Sequence, residues 1–375
     1  MKKLCYVATI PDTVYAFLKD HIAAAAQQWQ VTVVTHPLRI ELLQDFDARV
    51  IPLDIRRKVS PLHDLRVLWQ LYRLFRRERF DIVHSIMPKT GLLAMLAALF
   101  AGVPVRMHTF TGQVWATKRG WKRSALKRFD WLIAACATHV LADSPSQRDF
   151  LIAEGVLPPG KGEVIGHGSI CGVDARRFHP DVQARETVRA ELGVPAAQRI
   201  LLFLGRLNRD KGILDLAQAF VAIAAQHEDV SLVLVGAEED VPFASVQQAC
   251  GAYGDRVHRI NFTPVPERYM AAADIFCLPS YREGFGQVIV EAAACGVPTV
   301  ASRIYGITDA VEEGVTGILF TAGDVAALIS ALSSLLGDDA LRTRMGEAAR
   351  TRALERFASE QIAAELVARY QGMMR

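Results

Sequence analysis

Glu283 and Glu291 flank a glycine loop in the stretch Pro279-Ser280-Tyr281-Arg282-Glu283-Gly284-Phe285-Gly286-Gln287. The run Ile275 to Leu278 before it is apolar and of buried-strand type, and Gln287 to Cys295 after it are good helix formers that stop at Gly296 and Pro298. A loop so placed delivers backbone N–H groups at a helix N-terminus. Unpaired donors and the helix dipole both favour an anion there, and phosphate is the usual occupant. Carboxylates repel phosphate but accept hydrogen bonds from hydroxyls. The pattern therefore fits a ligand with phosphate between two polyhydroxylated groups, as in a nucleotide sugar. An arbitrary glutamate pair is ordinarily surface charge; the glycine loop between these two turns the reading toward chemistry.

A second cluster lies at Gly205-Arg206-Leu207-Asn208-Arg209-Asp210-Lys211-Gly212, directly after the apolar run Arg199 to Leu204. Arg206 and Lys211 are thereby set at the carboxyl end of a strand, where open α/β sheets bind ligands. An arginine fork and a lysine point charge neutralise a departing diphosphate, so the chemistry requires neither metal nor cofactor.

The pattern Pro-Ser-x-x-Glu-Gly-Phe-Gly-x-x-x-x-Glu-Ala-x-Ala-x-Gly-x-Pro over residues 279–298 resembles the signature of the retaining GT-B glycosyltransferases of glycosyltransferase family 4, the group 1 enzymes of bacterial polysaccharide and lipopolysaccharide synthesis. The likeness extends, less densely, from about residue 4 to the C-terminus. It implies an α/β chain of GT-B type, with two doubly wound Rossmann-like domains facing a central cleft. It also implies that Gly205, Arg206 and Lys211 hold the donor diphosphate and that Glu291 takes the ribose hydroxyls. Glu283, Gly284, Phe285 and Gly286 would surround the sugar and its phosphates, with the base near Val257 to Thr263. His108, read as ending the strand Val103 to His108, is placed by the resemblance beside the transferred sugar, and its titration range allows proton traffic. The expected catalytic set is His108, Glu283, Arg206 and Lys211. Two stretches depart from the family: Phe262-Thr263-Pro264 stands where Phe-x-Gly is frequent, and Ala8-Thr9-Ile10-Pro11-Asp12-Thr13 where relatives carry glycines.

These residues need two βαβ frameworks. In the first half, strands at Leu4–Thr9, Val31–Thr35, Asp81–His84, Val103–His108 and Thr138–Ala142 alternate with helical periodicity at Pro61–Arg79, Lys89–Ala101 and Ser124–Ala135. Val164-Ile165, in the glycine-rich stretch 160–174, reads as a last strand before a flexible connection. The expected domains are 1–178, on the acceptor side, and 179–357, which binds the nucleotide sugar. By the family resemblance, the last helix, 358–375, packs back on the first. The second half restarts with strands at Arg199–Leu204, Val230–Val235, Val257–Phe262, Ile275–Leu278, Thr299–Ser302 and Ile318–Phe320, and is helical from Val325.

The chain has 375 residues, 51% of them apolar, enough for two cores. Its six cysteines are dispersed, without a Cys-x-x-Cys pair or clustered histidines, so neither disulfides nor a metal site is expected and a reducing cytoplasm is the natural setting. Lys2-Lys3 precede only a short apolar run, unlike an export signal. Gly91 to Val103 is too short to span a bilayer. A net charge of +3, with no nucleic-acid-binding motif, excludes nucleic acid as the expected partner. The stretch Trp115 to Trp131 combines dense Lys and Arg with three tryptophans, and Arg73, Arg76, Arg77 and Arg79 add a second cluster. Such a surface suits peripheral contact with the anionic inner face of the cytoplasmic membrane. The expected activity is transfer of a sugar from a nucleotide diphosphate sugar, UDP-linked by preference, to a hydroxyl of a lipid-linked glycan. The rival readings are a sugar-nucleotide epimerase or phosphorylase of the same fold, and a non-catalytic nucleotide-sugar scaffold. A dehydrogenase is disfavoured because no Gly-x-Gly-x-x-Gly follows either domain's first strand.

Overall fold

A computed structural model describes residues 1–56 and 58–374. The chain divides into two compact units, one running from Met1 to Cys171 and resuming at Ser359, the other from Gly172 to Ala358. The first passage between them comes at 171/172, ahead of the expected 178.

Each unit is built on a six-stranded parallel sheet. In the first, β1 (Lys3–Val7), β2 (Gln30–Thr35), β3 (Arg49–Pro52), β4 (Ile82–Ile86), β5 (Val105–Phe110) and β6 (His139–Ala142) lie in the order β3-β2-β1-β4-β5-β6. In the second, β7 (Arg199–Leu204), β8 (Val230–Val235), β9 (Val257–Ile260), β10 (Ile275–Leu278), β11 (Thr299–Ser302) and β12 (Gly317–Phe320) lie in the order β12-β11-β10-β7-β8-β9. The central strands are nearly continuous apolar runs because helices cover both faces of a parallel sheet; Leu201, Leu202, Phe203, Phe276 and Leu278 have no exposure. In both sheets the winding reverses between the first and fourth strands, so β7 lies beside β10. At such a reversal the loops leave in opposite directions and open a crevice outside the strand ends.

Three local expectations are corrected. Glu163 makes only an isolated bridge to Leu141, so Val164-Ile165 adds no strand to the sheet. β3 was not anticipated, because Arg49-Val50-Ile51-Pro52 is too short and too exposed to read as a buried strand. β5 continues to Phe110, since Thr109 and Phe110 suit a strand and pair with Leu141 and Ala142 of β6. His108 is therefore inside the strand rather than at its end.

The helix Ser359–Met373 contributes to the core of the first unit. Its buried Tyr370 hydroxyl lies 2.5 Å from His84 Nδ1 and 3.1 Å from the Tyr6 hydroxyl. In the second unit the two places where the chain enters and leaves are joined: Val173 N donates to Phe357 O at 2.7 Å, and Val173 bridges Ala358 in parallel.

Candidate functional site

The loops after β7, β8 and β10 meet at the reversal point of the second sheet. Leu207 N donates to Ala237 O at 2.9 Å and Glu239 N to Leu207 O at 3.1 Å, tying the β7 loop to the β8 loop. Tyr281 N donates to Asp210 O at 2.8 Å, tying it to the β10 loop. Gly212 makes this approach possible. It has φ +67°, and a Cβ there would lie 2.0 Å from Pro279 O, inside the backbone of the neighbouring loop.

The two expected phosphate cations of the β7 loop, Arg206 and Lys211, each meet a carboxylate. Lys211 Nζ donates to Glu283 Oε1 at 2.5 Å, and Ser280 Oγ donates to the same oxygen at 2.8 Å. The pair is largely enclosed, with side chains 19% and 12% exposed. Arg206 pairs with Glu239 of the β8 loop. Asn208 stitches the arrangement together: its Oδ1 accepts from Lys211 N at 2.9 Å and its Nδ2 donates to Glu239 Oε2 at 2.6 Å. Sequence reasoning missed Asn208 and Glu239. The signal for the latter was the run Glu238-Glu239-Asp240 directly after Gly236-Ala237, a concentration of acid where a phosphate loop would ordinarily be neutral.

The helix Gln287–Ala294 begins at Gly286, in the left-handed region at φ +81°, and no side chain caps it. Its first turn thus has the anion-favouring character expected of the loop. Gly284 and Gly286 are part of this turn. The Phe285 side chain is not: it is buried and packs on Phe357 with ring centroids 5.2 Å apart. Phe285 can serve a ligand only through its backbone.

Glu291 sits half-buried one turn along the same helix, where Gln287 Nε2 donates to its Oε1 at 3.4 Å. Burial pushes its carboxyl up to about 7, against the smaller opposing effects of the Gln287 N–H and Arg177. The folded midpoint lies above the ordinary 4.5, so the folded state holds the extra proton. The stability this supplies is complete below about pH 4.5 and is lost as pH rises through about 7. Replacing Glu291 by Gln is expected to flatten this decline and to raise stability at pH 8 by about 1–3 kcal/mol, read from denaturant midpoints of both proteins across the pH range.

His108, in the first unit, is wholly enclosed. Ser85 Oγ and His108 Nδ1 are 2.8 Å apart, the ring meets Phe110 edge-on, and Nε2 has no partner. A Cβ on Gly91 would lie 2.4 Å from the ring. Burial pushes the imidazole down to about 3, so it is neutral at physiological pH and a weak base in this arrangement.

The basic, aromatic surface is also partly corrected. Trp115 is buried, its Nε1 donating to Asp130 Oδ2 at 2.7 Å, and Arg123 and Lys127 are paired with Glu154 at 2.7 and 2.8 Å. Trp121 and Trp131 remain exposed on the helix Gly120–Cys136. Leu62, Leu65 and Trp69 are exposed along the helix Pro61–Glu78, where the Arg73 guanidinium lies 4.7 Å over the Trp69 ring. Among the described residues, no helix is long and apolar enough to cross a membrane, and no group of His, Cys, Asp and Glu has the makings of a metal site.

Residues 184–352 match the family model described as glycosyl transferases group 1, and residues 22–168 that of a glycosyl transferase 4-like domain. The chain is 30% identical to the capsular polysaccharide biosynthesis glycosyltransferase CapM of Staphylococcus aureus, over 88% of this chain and 86% of that protein. It is also 30% identical to the UDP-Gal:alpha-D-GlcNAc-diphosphoundecaprenol alpha-1,3-galactosyltransferase of Escherichia coli, over 76% of this chain and 74% of that one. Among solved structures, Anabaena Alr3699/HepE in complex with UDP and glucose superposes with a TM-score of 0.85 at 21% identity, covering 99% of this chain and all of that one.

Proposed function

The chain belongs to the group 1 glycosyl transferases, and from that premise we propose that it moves a hexose-type residue from a UDP-sugar to a hydroxyl of a lipid-linked surface-glycan precursor, with retention of anomeric configuration. The observation that carries the reading is the meeting of Arg206, Lys211 and the uncapped start of the Gln287 helix at the sheet reversal of the second unit. The choice of UDP and of a lipid-linked acceptor is supported by the likeness to the E. coli galactosyltransferase, named for UDP-Gal as donor and a diphosphoundecaprenol-linked sugar as acceptor.

In this reading the donor diphosphate takes Arg206 and Lys211 from Glu239 and Glu283. Two cations and a helix N-terminus then stabilise the charge that grows as the bond from the anomeric carbon to the diphosphate breaks. The acceptor hydroxyl attacks from the face the diphosphate leaves, and its proton passes to a diphosphate oxygen. Glu283, freed from Lys211, accepts hydrogen bonds from sugar hydroxyls, and Glu291 does so from the ribose. Gly205, Gly284, Phe285 and Gly286 contribute backbone around the phosphates. His108 is given no proton-transfer role in this reading, because its imidazole is enclosed within the first unit and held neutral.

The test is a thermal-shift screen against UDP-, GDP- and ADP-sugars, followed by transfer from the stabilising donor to lipid-diphosphate-linked acceptors with the product anomer read by NMR. Stabilisation by a UDP-sugar and an axial product from an axial donor are expected. Epimerisation without acceptor, or an inverted product, sinks the reading.

The acceptor's lipid brings the enzyme to the inner face of the cytoplasmic membrane. The exposed Leu62, Leu65, Trp69, Trp121 and Trp131, with exposed Arg66, Arg76, Lys118 and Lys122 among them, supply apolar anchors within positive charge. Replacing Trp121 and Trp131 together by Ser is expected to weaken sedimentation with anionic phospholipid vesicles about tenfold while leaving neutral vesicles unbound as before. Equal binding to anionic vesicles by both proteins would remove these residues from the contact.

A further inference from the structure

Gln287 makes contacts that the proposed chemistry does not use. Its Nε2 donates to the Gly172 carbonyl at 2.6 Å and to Glu291 Oε1 at 3.4 Å. Gly172 is where the chain enters the second unit. The next residue, Val173, is hydrogen-bonded to Phe357, and Phe357 packs on Phe285 of the glycine loop. The amide is thus anchored on paired backbone, and the loop it follows is braced on the same pairing. The other charges that act on Glu291 are Arg177, on the segment after Gly172, and Glu267, on the helix Pro266–Ala272; they pair with each other at 2.9 Å and act on it in opposite directions. Arg350 and Asp181 act on Cys295, further along the Gln287 helix.

We propose that Gln287 is a positioning residue for Glu291: anchored on Gly172, its amide donates to one carboxylate oxygen and fixes the side chain with the other presented to the vicinal hydroxyls of the donor's ribose. This rests on the reading that Glu291 receives the ribose. Two hydroxyls need an acceptor, which the ionised carboxylate is and the protonated acid is not on both oxygens. Nucleotide affinity therefore follows the ionised fraction of Glu291. The Gln287 N–H favours that fraction, because a hydrogen bond to the charged form stabilises it.

The experiment is calorimetric titration of the full chain with UDP, GDP or ADP, whichever binds the wild type, from about pH 5.5 to 8.5 across the ordinary range of a raised carboxyl. The 2′,3′-dideoxy form of the same nucleotide is titrated in parallel. Wild-type affinity for the ribonucleotide is expected to climb with pH to a plateau. Gln287→Met, which keeps the volume and removes the donor, moves that climb to higher pH and weakens binding at pH 7 by about three- to tenfold. Gln287→Glu moves it further, since two carboxylates then share one site. An unchanged midpoint in both variants overturns the positioning role, and so does unfolding of both, which would make the amide a part of the fold alone. If the wild type binds the dideoxy nucleotide as tightly as the ribonucleotide, or binds none of the three, the ribose reading itself falls. If it discriminates between them while the variants keep the wild-type midpoint, only the role of Gln287 falls.

Discussion

Alanine at Lys211 lowers transfer by about a hundredfold or more, the cost of removing one charged donor from a site where anionic charge develops. The same change also destabilises the protein, because Glu283 keeps only Ser280 Oγ as a partner while remaining largely enclosed. A carboxylate stranded in that way costs about 3 kcal/mol. Arginine at the same position keeps the charge and restores part of the rate. Arg206→Ala separates the two effects. Its pair with Glu239 is exposed on both sides, with side chains 43% and 40% accessible. Such pairs contribute at most about 1 kcal/mol, so this variant is expected to lose a similar share of turnover with almost no change in melting temperature. Steady-state rates and thermal melts on the two variants check both statements. Wild-type turnover in both would dissolve the diphosphate assignment.

Gly212→Ala has the second large effect, on stability and binding together. The left-handed backbone costs an alanine about 1–2 kcal/mol, and the added Cβ would lie 2.0 Å from Pro279 O. The β7 loop must then move off the β10 loop, which breaks the geometry that brings Lys211 to Glu283. A loss of about 3 kcal/mol and of measurable nucleotide binding is expected. Gly193→Ala is the control. Its φ is +66°, but nothing lies within 4 Å of the added atom, so it bears the backbone cost and leaves nucleotide affinity intact. Denaturant midpoints and calorimetric titrations separate these outcomes.

The two loops that carry the site were legible in the sequence because each is marked by local features: an apolar strand, a glycine, and charge within a few residues. What could not be read was which charge meets which. Glu239 reaches Arg206 from 33 positions away, a pairing that depends on β8 lying beside β7. His108 was misplaced for a related reason. The residues after it carry strand propensity, but only their pairing with β6 decides that the strand continues and encloses the imidazole. Trp115 looked like an exposed aromatic among cations, yet its indole finds Asp130 on the following helix, where burial holds that carboxyl up at about 7 and a hydrogen bond completes the pair. Local sequence shows the residue types; partners distant in the chain decide burial and charge state. The family likeness was most legible over residues 279–298, where the glycine loop and its two flanking glutamates stand within a few residues of one another.

The central claim is that the donor's diphosphate and ribose are held by the loops after β7 and β10 and the start of the Gln287 helix. Hydrogen exchange with and without UDP tests it most directly. Protection concentrated at residues 205–212 and 283–291 is the predicted result. Protection confined to the first unit, or none at a UDP concentration that raises the melting temperature, would contradict it.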